Sequence, residues 1–85
     1  MDTAQQIETQ IRTVLRDHAR LSKSVDLIDS GTDLYQAGMT SHASVNVMLA
    51  LESAFDIEFA DHMLKRSVFN SVASIRDAVA ELTHA

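Results

Sequence analysis

Cysteine and proline are both absent from this 85-residue chain, and only two glycines occur, Gly31 and Gly38. Without cysteine there is no disulfide framework, no thiolate nucleophile and no cysteine zinc site. Without proline, and with both glycines lying between helical patterns, little interrupts helix elsewhere. No apolar run approaches the ~18 residues of a membrane span. Met1 to Gln10 is polar, which is not the pattern of a signal peptide. Positive charge is scarce as well: 7 Lys and Arg against 12 Asp and Glu give a formal net charge of −5. That balance disfavours nucleic acid and anionic membranes, and it suits partners with basic docking surfaces. A cytoplasmic protein is the expectation.

What the chain does have is apolar residues in helical register. Hydrophobic residues make up 46% of it, enough for a packed core and too many for disorder. The length allows one domain, residues 1–85, burying about 60–65% of its unfolded surface. No run alternates with the period of a strand, so the class is all-α. From Thr3 to about Ala19, Ala4, Ile7, Ile11, Val14 and Leu15 share one helical face, and Leu21 extends it. Gln5, Glu8, Thr9, Arg12 and Arg16 lie opposite. Asp2 or Thr3 can cap the start, and Arg16, His18 and Arg20 suit the negative end. His18 is expected at the edge of the apolar face.

Ser22 to Met39 is a long connection, yet Val25, Leu27, Ile28, Leu34, Tyr35 and Met39 are too many hydrophobes for a free linker. They read as anchors holding the loop across a helical bundle. Asp29-Ser30-Gly31-Thr32-Asp33 is turn chemistry. It is not a calcium loop, because Gly31 and Leu34 occupy the ligand and glycine positions of that pattern.

A second helix is expected from about Ser41 to Phe55. Val47, Met48, Leu51, Ala54 and Phe55 cluster on its core side. Val45 and Leu49 fall elsewhere and form a small apolar patch near the Ser41 end. Ser41 belongs to the first turn, with its hydroxyl at the surface. Ser and Thr are favoured helix caps, and a helix N-terminus also favours an attached phosphate. Further on, Asp61 can cap a short turn through Arg66, with Met63 and Leu64 facing inward. Val68 and Phe69 are core candidates. Asn70 or Ser71 opens a last helix whose stripe is Val72, Ile75, Ala78, Val79 and Leu82. Three longer helices and one short one give a four-helix bundle.

Chemistry of the chain's own is not in view. Ser41 and His42 are neighbours on a helix and point about 100° apart, and no Gly-x-Ser-x-Gly elbow surrounds them. His18, His42, His62 and His84 lack metal-ligand spacing. Neither catalytic residues nor a metal site is expected, and the chain does not read as an enzyme.

Nearly the whole layout resembles the acyl carrier protein family. That family opens its second helix with Leu-Gly-x-Asp-Ser-Leu, where this chain has Ala37-Gly38-Met39-Thr40-Ser41-His42. The stretches Ala50-Leu51-Glu52-Ser53-Ala54-Phe55 and Phe55-Asp56-Ile57-Glu58-Phe59 are also similar to the family's. The resemblance implies 4′-phosphopantetheine on Ser41, with Thr40 and His42 flanking the attachment. It implies a phosphopantetheinyl transferase that uses coenzyme A, a loading ligase and a downstream acyl-transfer enzyme as partners. The arm's thiol would hold an acyl or aminoacyl group as a thioester, and a monomer is implied.

Departures from the family carry information too. Thr40 replaces the usual Asp and His42 the usual Leu, and the acidic docking face is diluted to Glu52, Asp56 and Glu58. Lys65 and Arg66 add positive charge beyond it. A specialised carrier is therefore expected rather than the one of general fatty acid synthesis. Ala37 to Val45 is similar to a small bacterial group loaded with amino acids by free-standing ligases related to seryl-tRNA synthetases. Partner docking is expected at Val45, Leu49, Glu52, Met63 and Lys65. The competing reading is a helical interaction domain in which Ser41 is only a cap and Val45 and Leu49 bind a protein.

Overall fold

The computed structural model describes residues 4–22 and 24–83, and these form an all-α bundle with no strand among them. Its helices are α1 (Ala4–His18), α2 (Ser41–Phe55), α3 (Arg66–Phe69) and α4 (Val72–Thr83). Single 3₁₀ turns, Val25–Leu27 and Asp61–Met63, punctuate the two longer connections. The capping expected of Asp2 or Thr3, and His84, lie outside the described residues.

The apolar stripe of α1 does what its spacing predicts: Ile7, Ile11, Val14 and Leu15 are all buried. They meet Val47 and Leu51 of α2 and the buried stripe of α4, Val72, Ile75, Ala78 and Val79, in one core. Leu82 is only partly buried against it. The opposite face of α1 is less solvated than its polarity suggests. The Arg12 guanidinium donates to the carbonyls of Val25 and Ile28 at 2.6 and 3.0 Å. Glu8 accepts from Arg12 at 3.4 Å and from Arg76 of α4 at 3.1 Å. These half-buried pairs tie α1, the first loop and α4 together. His18, by contrast, is exposed and not on a core edge.

The loop is pinned much as its hydrophobes foretold. Val25, Ile28, Leu34 and Met39 are buried, and Tyr35 packs partly against the core. Leu27 departs from that expectation at 81% exposed. It sits within a one-turn 3₁₀ helix whose buried face is already taken by Val25. Backbone hydrogen bonds complete the anchoring. Leu34 N–H donates to the Asn70 carbonyl at 2.7 Å, and Ala73 N–H to that of Ser30 at 2.8 Å.

The two ends of the loop meet just before α2. Ser22 donates to the Ala37 carbonyl from both its N–H and its hydroxyl, each at 2.8 Å. Gly38 follows with φ +118°, where a Cβ would stand 3.2 Å from the Ser22 nitrogen. Only glycine takes that backbone without strain. Gly38→Ala is expected to cost more than about 1 kcal/mol, measurable by urea denaturation, whereas Gly31→Ala has open space around its Cβ.

Two details of α2 and its sequel differ from expectation. Ala54 is exposed, while Ala43 is buried in its place. Met63 faces inward but Leu64 does not. The turn from Asp61 is not continuous helix, because Lys65 is extended (φ −144°, ψ 158°) and resets the phase before α3. Ser71, as expected, opens α4, its hydroxyl accepting from Ser74 N–H at 3.1 Å.

Candidate functional site

The site is built at the start of α2. Met39 and Ala43 are buried at 2% and 6% exposure and fix the backbone on either side. Thr40, Ser41 and His42 between them are all exposed. Thr40 is the cap: it lies outside the helix with extended dihedrals, and its Oγ1 accepts from Ala43 N–H at 3.0 Å. Ser41 is the first helical residue. Among the described residues no hydrogen bond engages its Oγ, while its carbonyl accepts from the Ser44 hydroxyl at 2.7 Å. The two hydroxyls have thus divided their work, one closing the helix and the other facing solvent.

Beside Ser41 runs an open groove of about 340 Å³. Val45 and Met48 of α2 form one wall, and Leu64, Lys65 and Arg66 the other, with Tyr35 of the first loop at its edge. The guanidinium of Arg66 stacks 3.9 Å from the Tyr35 ring centroid. Exposure of Val45, Leu49 and Leu64 is 50%, 53% and 48%. Val45 and Leu49 stand one helical turn apart and Val45 shares the groove with Leu64, so the patch is contiguous rather than scattered.

Two of the expected docking residues have other work. Met63 is 5% exposed and belongs to the core, because the 3₁₀ turn aims it inward and leaves Leu64 outside. Glu52 spends a carboxylate oxygen on Phe59 N–H at 2.9 Å, fixing the chain as it leaves α2. Phe59 in turn stacks edge-on to Phe69 at 5.2 Å. Lys65 is exposed in the groove wall. Tyr35, Leu64 and Arg66 join the site without having been singled out for it. Neighbouring Met63 and Leu64 carry no periodic signal to say which faces in, and Tyr35 is distant in sequence.

No group of three or more His, Cys, Asp or Glu able to hold a metal occurs among the described residues. No described helix is long and apolar enough to cross a membrane.

No protein-family model matches the chain. It is 48% identical over 69 residues to the aminoacyl carrier protein of Agrobacterium fabrum, covering 81% of this chain and 83% of that one. The chain belongs to the aminoacyl carrier protein family. The carrier also matches a chain in the crystal structure of an engineered Bradyrhizobium japonicum glycine:[carrier protein] ligase complexed with carrier protein from Agrobacterium tumefaciens and ATP. That match has a TM-score of 0.87 and 43% identity, over 89% of this chain and 99% of that one. A solution structure from Agrobacterium tumefaciens matches with a TM-score of 0.72 and 43% identity, over 91% and 93% of the two chains. The four-helix fold is that of the carrier in the ligase complex, and carrier proteins are not themselves enzymes.

Proposed function

We propose that this carrier bears 4′-phosphopantetheine on Ser41 and presents an amino acid as a thioester on the arm's thiol. The observation that carries this reading is the free, exposed Ser41 hydroxyl beside an open groove, with Thr40 doing the capping. The residues fit the group. A separate transferase can reach Ser41, and the groove leaves room at the root of the arm. The prosthetic group supplies the thiol that this cysteine-free chain lacks. The chain itself supplies a fixed attachment point and an apolar surface, Val45, Leu49 and Leu64, for a partner to grip. Lys65 and the half-buried Glu52 border that surface, while Met63, buried in the core, is left out of it.

The loading partner in this reading is an ATP-dependent ligase like the glycine:[carrier protein] ligase found with the similar carrier. A downstream enzyme then takes the aminoacyl group, in the cytoplasm where coenzyme A and ATP are at hand. Intact mass tests the reading in two steps. Incubation with coenzyme A and a broad-specificity transferase is expected to add one phosphopantetheinyl group. Glycine, ATP and the Bradyrhizobium japonicum ligase should then add one glycyl group that neutral hydroxylamine removes. No first addition on a folded sample, with several transferases, would overturn it.

A further inference from the structure

The geometry points to Arg66, assisted by Lys65, as the residue that holds the phosphodiester at the root of the Ser41 arm, a positioning role that rests on the carrier reading. The chain is acidic as a whole, but the groove beside Ser41 is not. Lys65 and Arg66 line it and no carboxylate does. The fifteen residues of α2 contain one formal charge, Glu52, which does not line the groove and accepts from Phe59 N–H through one oxygen.

Neither Lys65 nor Arg66 is within ion-pair distance of a carboxylate among the described residues. Arg66 is nonetheless not loose, because its guanidinium lies on the face of Tyr35 at 3.9 Å. A cation–π contact occupies no N–H donor of the guanidinium, and no hydrogen bond to a described residue engages them. Those donors match an anionic oxygen pair. A phosphodiester formed on Ser41 brings one negative charge to the same groove, one bond from the Ser41 oxygen. Lys65 also lines a second cleft on the Asp77 and Glu81 side, whereas Arg66 is held over Tyr35 in the groove and is the better placed.

Melting of the apo protein and the fully modified protein tests this, with intact mass verifying conversion in each sample. At low salt, modification is expected to raise Tm by about 2–4 °C. Salt at about 1 M should abolish the rise. The double variant Lys65→Gln with Arg66→Gln should lose it, and Arg66→Lys should keep part of it. The phosphorus NMR resonance of the modified protein should also move between the wild type and Arg66→Gln. An equal rise in the double-glutamine variant, a rise indifferent to salt, or coincident phosphorus resonances would overturn the clamp and leave the carrier reading standing. Failure of the wild type to gain mass would overturn both.

Discussion

Ser41→Ala is expected to abolish the phosphopantetheinyl mass gain while leaving stability within about 0.5 kcal/mol of the wild type. Both halves of that result follow from the division of labour at the head of α2. Ser41 is exposed, and its hydroxyl bonds no described residue, so removing the oxygen unsatisfies nothing in the fold. Alanine is also a better helix former than serine at a helical position. Thr40→Ala should do the reverse. It removes the oxygen that accepts from Ala43 N–H and should cost about 1 kcal/mol, yet the protein should still gain the phosphopantetheinyl mass. Urea denaturation and intact mass on the same two variants separate the roles. A Ser41→Ala loss as large as that of Thr40→Ala would restore the view of Ser41 as a cap.

The second large effect concerns the first loop. Leu34→Ala should destabilise the domain by about 2–5 kcal/mol, the usual cost of emptying a buried leucine site. Leu34 is fully buried, and its N–H bonds Asn70 at the entry to α4. A domain of this length has a total stability of roughly 4–13 kcal/mol at about 0.05–0.15 kcal/mol per residue. At about 4–8 °C per kcal/mol, the loss should lower Tm by at least about 8 °C. Leu27→Ala, in the same loop, is the internal control. At 81% exposed it should stay within about 0.5 kcal/mol. Equal losses at the two leucines, read by thermal melting, would mean that the loop is not held on the core through Leu34.

That contrast also marks how far the loop was legible. Its density of hydrophobes was enough to exclude a free linker, but nothing in the local pattern separates Leu27 from Leu34. A loop has no fixed period, so which residue turns inward depends on where the chain is tied. Here the ties are the Asn70 and Ala73 backbone bonds and the Ser22–Ala37 closure, all between residues distant in sequence. Arg12 makes the same point from a helix. Its place on the polar face of α1 was evident, while its bonds to the Val25 and Ile28 carbonyls depended on the path of the loop.

The sequence by itself determined the helical class, the extent of α2 and the stripes of α1 and α4. Those features repeat with the helix period, which is a local property of the chain. It also placed Ser41 in the first turn of α2, because hydroxyl residues before an apolar run mark a helix start. Only the tertiary structure decided that Thr40 caps while Ser41 stays free, since both side chains are competent to cap and the dihedrals of one turn choose between them. It alone put Tyr35, Leu64 and Arg66 around one groove with Ser41, and withdrew Met63 from the surface. The groove and the burial of Met63 rest on where separate segments meet, and a one-dimensional pattern carries no record of that.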